Sequence, residues 1–238
     1  MKLSKRLETV ASMVTKGNRA ADVGCDHGFV PIFLVESGIS PLAVAADVRP
    51  GPLSRAKEHI KEHRLEEKIQ TRLSDGLANI KPGEADSLIM SGIGGILMMR
   101  LLQDEEHTAK SFKELILSPQ SELVDVRRYL VSNGYLIEYE HMLCDEGKYY
   151  FIFHVLVKKD EREWSEEEYR YGNDICKDDM KTFFAYLEKE ERQYEQILEK
   201  MKQAPENDRA AQRIAQLHQD ITCLKKRRQL VYDCGCFA

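Results

Sequence analysis

Residues 1–159 alternate short apolar runs with amphipathic stretches, and this alternation constrains the fold more than any other feature of the chain. The apolar runs that predict strands are residues 20–23, 42–48, 69–72, 87–90 and 115–118. Helical spacing marks several intervening stretches, including residues 30–37 and 123–133. Strands that alternate with helices form a mostly parallel sheet covered by helices on both faces. We therefore expect a doubly wound α/β fold.

The last two apolar runs differ from the others because only a tight turn separates them. Residues 135–142 and 149–157 flank Asp145-Glu146-Gly147, a sequence typical of a hairpin turn. A parallel sheet that ends in an antiparallel hairpin resembles the Rossmann-like sheet of class I methyltransferases. Because one fold hosts many functions, this pattern predicts a fold class and no particular activity.

From Asp160 onward, charged residues surround a narrow apolar stripe. The stripe recurs at seven-residue or three-and-four-residue spacing through Met180, Phe183, Leu187, Tyr194, Ile197 and Met201, and then through Ile214, Leu217, Ile221 and Leu224. Two such helices joined at Ala204-Pro205-Glu206-Asn207 predict an antiparallel coiled-coil hairpin, although pairing between molecules is an alternative. We expect a domain of residues 1–159 followed by a helical domain of residues 160–238.

Composition favours a cytoplasmic protein. The net charge is −5, no apolar run approaches the ~18 residues of a membrane span, and the N-terminus lacks the apolar core of a signal peptide. The six cysteines show no pattern of a disulfide scaffold, so reduced thiols are expected. Cys234-Gly-Cys236 supplies at most half of a zinc site, and a solvated tail is the favoured interpretation. We expect a monomer or a weak dimer.

The segment after the first predicted strand carries the pattern Asp22-x-Gly24-x-x-x-Gly28. A nicotinamide-binding Gly-x-Gly-x-x-Gly would need glycine where Asp26 and Phe29 stand, and the lysine of a phosphate-binding P-loop is missing. The pattern instead matches the outer positions of the acidic-x-Gly-x-Gly-x-Gly loop of S-adenosylmethionine methyltransferases, with Asp26 in place of the middle glycine.

The chemistry of S-adenosylmethionine suits such a loop. The molecule has no phosphate and carries a sulfonium cation and an amino-acid head group. Glycines allow the backbone to approach it closely, and acidic side chains favour its positive charge. An acid at the end of the second strand, Asp47, is placed to bind both ribose hydroxyls.

Two further segments follow predicted strands and complete the candidate cofactor site. Asp75, in Ser74-Asp75-Gly76, offers an acceptor for the adenine amino group, and Ser91-Gly92-Ile93-Gly94-Gly95 forms a glycine-rich turn where methyl transfer would occur. The predicted cofactor-binding residues are Asp22, Gly24, Cys25, Asp26, His27, Gly28, Asp47, Val48, Ser74, Asp75, Gly76, Ser91, Gly92, Ile93 and Gly94.

Simpler interpretations of these residues exist. His27 with a neighbouring aspartate could bind a metal, and Cys25 could be a nucleophile, but neither has the supporting cluster that such a site needs, and we expect no metal. Asp75 could merely cap a helix. The glycines of residues 92–95 could merely allow a helix to approach the sheet.

Four motifs together resemble one family. Residues 3–7 (Leu-Ser-Lys-Arg-Leu), 22–28, 74–77 and 91–95 are similar to those of bacterial tRNA adenine-N1 methyltransferases of the TrmK type, which modify adenine 22 in the D-arm region. The resemblance implies S-adenosylmethionine as cofactor, tRNA as partner and attack of adenine N1 on the methyl group. It extends over almost the whole chain. The Asn/Asp-Pro-Pro-Tyr motif of adenine N6-methyltransferases is missing, which fits chemistry on a ring nitrogen.

Within this interpretation, Asp26 and Ser91 are the candidate catalytic residues. The candidate tRNA-binding residues are the basic side chains Lys5, Arg6, Arg49, Lys225, Lys226, Arg227 and Arg228. Two alternatives stay open. The chain could methylate a small molecule or a protein and use the helical hairpin to dimerise, or it could bind cofactor and RNA without catalysing a reaction.

Overall fold

The computed structural model describes residues 2–173, 180–202 and 208–233. Its centre is a seven-stranded sheet of order β3-β2-β1-β4-β5-β7-β6. The strands are β1 Ala20–Val23, β2 Ala43–Asp47, β3 Ile69–Leu73, β4 Ser87–Ser91, β5 Glu114–Ser118, β6 Leu136–Asp145 and β7 Lys148–Leu156. The first five run parallel, and β7 lies antiparallel between β5 and β6. The predicted Rossmann-like sheet, mostly parallel with a final antiparallel hairpin, is therefore confirmed.

Helices cover both faces of this sheet. They are α1 Lys5–Ser12, α2 Phe29–Glu36, α3 Pro50–Glu62, α4 Gly95–Asp104, α5 Glu106–Ala109, α6 Leu123–Ser132, α7 Glu166–Tyr171, α8 Met180–Lys202 and α9 Asp208–Asp233. Among the described helices, none combines the length and hydropathy needed to cross a membrane. Helices α4 and α5 have no counterpart among the predicted elements.

The two faces of the sheet bury separate apolar cores. Alternate residues of β1 illustrate this, because Ala20 contributes to the core under α1, α2 and α3, while Ala21 contributes to the opposite core. The opposite core contains residues of α4 and α6, and it continues into α8 and α9 through Phe183, Leu187 and Leu224. The last two helices thus share one core with the sheet.

Helices α8 and α9 run antiparallel. The guanidinium of Arg227, near the end of α9, lies 5.9 Å from the ring centroid of Phe183, near the start of α8. The predicted seam is wrong at one position, because Ile197 is exposed and its neighbour Leu198 is buried. A seven-residue spacing drifts around a helix of 3.6 residues per turn, which accounts for this shift. The coiled coil itself stays a prediction, and its turn, with Cys234 and Cys236, lies outside the described residues.

A buried ion pair joins the sheet to the C-terminal region. The fully buried Arg127 of α6 donates to the Glu140 carboxylate of β6, with Nη2 2.8 Å from Oε2. Its Nη1 donates to the carbonyl oxygens of Tyr169 and Arg170 in α7, at 2.9 Å each. Because a buried charge that loses its partner is costly, this contact fixes α6, β6 and α7 together.

Candidate active site

A cleft of about 270 Å³ opens at the carboxyl edge of the parallel strands. It is formed by the segments that follow β1, β2, β4 and β5, together with α1. This is where open α/β sheets bind their ligands. Its lining includes Arg6, Leu7, Asp22, Gly24, Cys25, Asp26, His27, Phe29, Val30, Asp47, Arg49, Ser91, Gly92, Ile93 and Gln120. The first, second and fourth strand ends thus supply predicted cofactor residues to one cavity.

The loop from Gly24 to Gly28 turns sharply through three left-handed residues. Gly24 has a φ of 83°, Asp26 of 46° and Gly28 of 72°. Aspartate is one of the few residues with a side chain that adopts this conformation readily. Asp26 therefore takes the place of the middle glycine of the motif while the backbone keeps a left-handed turn there.

Gly28 has a second role, in packing the loop onto α3. A Cβ atom at this position would lie 3.0 Å from the Cβ of Ala56. Helix α2 begins directly after Gly28, so any side chain there would push α2 and α3 apart. The glycine thus fixes the position of the loop against the helix that follows β2.

Asp22 is the most strongly perturbed acid of the cleft. It lies on β1 and is 4% exposed. Burial and, to a lesser extent, the neighbouring Asp47 carboxylate raise the pKa of Asp22, the guanidinium of Arg6 opposes them, and the pKa is about 7 as a result. Within the described residues, no hydrogen-bond donor reaches the Asp22 carboxylate. A buried carboxylate in this state favours a cationic group brought into the cleft.

Asp47 ends β2 beside Asp22 and is equally buried. Its Oδ1 accepts a hydrogen bond from the backbone N–H of Arg49 at 2.9 Å, and the Arg49 Nε lies 3.7 Å from the same oxygen. The Arg49 side chain is exposed at the mouth of the cleft. This acid is held rigidly at the position where the sequence predicts recognition of the ribose.

Cys25 and His27 line the cleft without the properties of a nucleophile or a metal ligand. Burial raises the pKa of the Cys25 thiol, and the surrounding aspartates add to this, whereas a nucleophilic thiol needs a lowered pKa. The His27 ring stacks on Phe29 and on His59, with centroids 5.2 and 5.8 Å apart. In the part of the chain that the structure describes, no three His, Cys, Asp or Glu side chains converge as metal ligands.

Arg6 belongs to the cleft, although the sequence predicts it only as a tRNA contact. Its Nη1 donates to the Ser91 Oγ at 2.7 Å, and its guanidinium lies 5.3 Å from the Tyr150 ring centroid. A Cβ atom added to Gly92 would lie 3.5 Å from Arg6 Nη1. The first helix therefore closes one side of the cleft and orients the hydroxyl of Ser91.

Six predicted cofactor residues lie outside this lining, namely Gly28, described above, and five others at the same edge of the sheet. Ser74 is buried and shapes a turn, because its Oγ donates to the carbonyl of Gly76 and accepts from the N–H of Asn79. Asp75 is exposed and lies 3.9 Å from Arg100, and a turn rather than a helix follows it. The remaining residues are Gly76, which packs on α4, the exposed Val48 and Gly94 at the start of α4. Cofactor contacts stay predictions for these six residues and for the predicted residues that line the cleft.

The sequence interpretation missed Gln120. This residue follows Pro119 at the end of β5, and its backbone N–H donates to the carbonyl of Ile93 at 2.9 Å. The rule that identified the other segments, a polar residue directly after a parallel strand, applies to Gln120 as well. Leu7, Phe29 and Val30 line the apolar side of the cleft. Leu7 lies in the family motif of residues 3–7, whereas Phe29 and Val30 carried no signal of a site beyond their hydrophobicity.

The basic run at residues 225–228 is largely engaged within the protein. Lys226 pairs with Glu167 at 3.0 Å, while Lys225 and Arg228 both pair with Glu191. Arg227 is buried and donates to the carbonyl of Asn173 at 3.0 Å, so a contact with phosphate would require this side chain to move. The predicted tRNA contacts, namely Lys5, Arg6, Arg49, Lys225, Lys226, Arg227 and Arg228, stay predictions.

Comparison with known proteins agrees with this geometry. A family profile described as "Methyltransferase domain" matches residues 3–153. The tRNA (adenine(22)-N(1))-methyltransferase of Bacillus subtilis is 28% identical over 95% of this chain and 97% of its own length. Sp1610 of Streptococcus pneumoniae, solved in complex with S-adenosyl-L-methionine, is 32% identical over 95% of this chain and 100% of its own, with a TM-score of 0.85.

The chain belongs to the tRNA (adenine-22-N1)-methyltransferase family. A further member, TrmK of M. capricolum in complex with S-adenosyl-homocysteine, aligns with a TM-score of 0.85 over 97% of this chain and 100% of its own, at 25% identity. The similarity to family members therefore extends beyond the methyltransferase domain into the C-terminal helices, and the predicted family is confirmed.

Proposed function

We propose that this protein transfers the methyl group of S-adenosylmethionine to N1 of adenine 22 in tRNA. The observation that carries the proposal is the buried Asp22 carboxylate, whose pKa is raised to about 7 and which accepts no hydrogen bond within the described residues. It faces a cleft at the switch point of a methyltransferase sheet, in a chain of this family. Membership in a tRNA-modifying family makes the cytoplasm the expected location.

The described residues fit S-adenosylmethionine. Asp22 is placed to bind the ammonium of the methionine moiety, the left-handed Gly24 allows close approach of the backbone, and Asp47 is placed to bind the ribose hydroxyls. When bound, the cofactor supplies an electrophilic methyl group on a sulfonium cation, which adenine N1 can attack in line.

The tRNA base must be presented with its Watson–Crick edge towards the cleft, because N1 lies on that edge. A paired base cannot do this, so adenine 22 must be unpaired or flipped out when it enters. N1 already carries a lone pair, so positioning contributes more to the rate than proton transfer does. Arg6 holds the Ser91 hydroxyl at the glycine-rich turn, where it can orient the incoming base.

Asp26 is the candidate for stabilising the methylated base, which is cationic. Its carboxylate lies at the mouth of the cleft, 3.6 Å from His27 Nε2 and 3.7 Å from Arg55 Nη2, and is largely exposed. We expect Asp26→Asn to reduce methyl transfer about tenfold while S-adenosylmethionine affinity stays unchanged. Unchanged turnover would remove Asp26 from the mechanism.

The decisive experiment measures transfer of labelled methyl groups to a tRNA transcript that contains adenine 22. A transcript with guanine at this position is the matched control. Signal on the first transcript alone establishes the enzyme and its target. Signal on both moves the target within tRNA. Binding of S-adenosylmethionine without transfer to either would favour another substrate, such as a protein or small molecule.

A further inference from the structure

A second cavity of about 420 Å³ lies between the β6–β7 hairpin and α8. We call it the hairpin groove. The residues that matter here are Gln120, Lys148, Tyr149, Tyr150, Tyr186 and Lys189. Neither the methyl transfer chemistry nor the cofactor site uses this cavity.

The hairpin groove is continuous with the cofactor cleft. Gln120 lines both cavities. Arg6 lines the cleft, and its guanidinium lies over the ring of Tyr150, which lines the groove. A chain that places one group in the cleft can therefore continue directly into the groove.

The walls of the groove are aromatic. The Tyr149 and Tyr186 rings meet edge to face with centroids 5.3 Å apart, and Tyr186 also contacts Phe151 at 5.2 Å. These contacts hold Tyr186 against the hairpin and leave Tyr149 half-buried at the surface of the groove. Aromatic rings in such positions are the usual stacking partners of unpaired bases.

The charge of the groove is also that of a nucleic-acid site. Lys148 and Lys189 are exposed, and neither ammonium forms an ion pair with any carboxylate in the described ranges. Lys189 Nζ instead lies 5.1 Å from the ring centroid of Tyr149. The acid of the groove, Glu190, accepts a hydrogen bond from the Tyr194 hydroxyl at 3.0 Å, and burial raises its pKa.

We propose that the hairpin groove binds the unpaired tRNA nucleotide next to the target adenine. Its base stacks on Tyr149, and Lys148 and Lys189 contact the flanking phosphates. The Lys189 ammonium now lies where a base would stack, and the base displaces it towards the phosphate. This inference rests on the proposed function. When the target adenine is flipped out, the adjacent base loses a stacking neighbour, and the Tyr149 ring can replace it.

The test compares two double variants. Lys148→Ala/Lys189→Ala removes both groove cations, and the matched control Lys68→Ala/Lys81→Ala removes two exposed lysines at the opposite, amino edge of the sheet. We expect the groove variant to bind the tRNA transcript about tenfold more weakly, with a salt slope smaller by about one to two, and to bind S-adenosylmethionine normally. The control should match the wild type. Equal affinities and slopes for all three proteins would overturn the proposal.

The stacking contact is tested separately at Tyr149. Tyr149→Ala should raise the KM for tRNA about tenfold, whereas Tyr149→Phe, which keeps the ring, should stay close to the wild type. Equal KM values for both variants would exclude stacking. Thermal melting establishes that each variant is folded. If the wild type methylates the adenine-22 transcript and no variant differs from it, this inference fails while the proposed function stands.

Discussion

The two edges of the sheet each hold a buried carboxylate, in opposite surroundings. At the amino edge, Glu114 of β5 is 3% exposed and is surrounded by donors. Its oxygens accept hydrogen bonds from the Thr15 N–H at 2.8 Å, the Thr15 hydroxyl at 2.6 Å, the Asn18 amide at 3.2 Å, the Ser87 hydroxyl at 2.5 Å and His154 Nε2 at 3.0 Å. At the carboxyl edge, Asp22 is just as buried and accepts none within the described residues.

The pKa values follow these surroundings. Burial alone would raise the pKa of Glu114, but the hydrogen bonds from His154, Ser87 and Thr15 outweigh it and lower the value to about 2. Burial of Asp22 meets no such compensation, and its pKa rises to about 7. At the amino edge, the hydrogen bonds of a buried carboxylate join neighbouring segments of the sheet. At the carboxyl edge, a buried carboxylate lacks such donors, and we propose that it receives a cation instead.

The largest expected effect is at Asp22. Asp22→Asn should reduce methyl transfer more than about 100-fold, because the cofactor ammonium loses its partner. Since the folded-state pKa is raised, the ionised carboxylate destabilises the cofactor-free protein at pH 8. The same variant should therefore melt at a higher temperature than the wild type at pH 8, and this gain should vanish towards pH 4. Lower melting together with retained transfer would contradict the assignment.

The converse is expected at Glu114. Glu114→Gln should lower the free energy of unfolding by about 3 kcal/mol, because five donors lose their charged acceptor. Urea denaturation at neutral pH measures this loss. Because the pKa of Glu114 is lowered in the folded protein, its ionised carboxylate contributes its full stabilisation at pH values above the pKa of the unfolded chain. This contribution is lost as the pH falls through about 2. The folded variant should bind S-adenosylmethionine as tightly as the wild type. A large change in this affinity would contradict the purely structural role of Glu114.

The next effect concerns pH. If the ionised form of Asp22 binds the cationic cofactor, as proposed, the affinity should fall as the pH drops through its pKa of about 7. We expect calorimetry to show S-adenosylmethionine binding about tenfold more weakly at pH 6 than at pH 8. Asp22→Asn should bind weakly at both values. Equal affinities of the wild type at pH 6 and pH 8 would mean that ionised Asp22 does not contribute to cofactor binding.

The smallest effect compares two glycines with similar backbones. Gly28 and Gly38 have φ values of 72° and 68°, but only Gly28 faces a close neighbour, Ala56. Alanine at either position costs about 1 kcal/mol in backbone strain, and Gly28→Ala should cost about 1 kcal/mol more. It should also weaken cofactor binding several-fold, which Gly38→Ala should not do. Equal melting temperatures for the two variants would mean that α3 yields to the added methyl group.

Much of this architecture could be predicted because its signals are local. Each parallel strand is a short apolar run, and the rule that ligands bind beyond strand ends then placed Asp22, Asp47 and Ser91 correctly in one cleft. Helices α4 and α5 were not predicted as elements, because the glycine-rich segment before them was interpreted as a turn of the cofactor site, with a helix packed on the sheet there only as an alternative.

The parts that could not be predicted depend on contacts between distant residues. Arg6 and Ser91 are separated by 85 positions, and nothing local marks their hydrogen bond. The basic run at residues 225–228 was interpreted as a free cationic surface, because its partners Glu167 and Glu191 lie on other helices. The sequence shows that residues 225–228 are basic, but only the structure shows which carboxylates pair with them.

The left-handed conformation of Asp26 has a consequence for the recognition of related chains. What the loop requires at its middle position is a backbone conformation, and aspartate supplies it at a φ of 46°. A search pattern that demands glycine there would pass over this protein, although its loop is intact. The Asp26→Gly variant would test this point, because glycine would restore the common motif and keep the left-handed backbone while removing the Asp26 carboxylate.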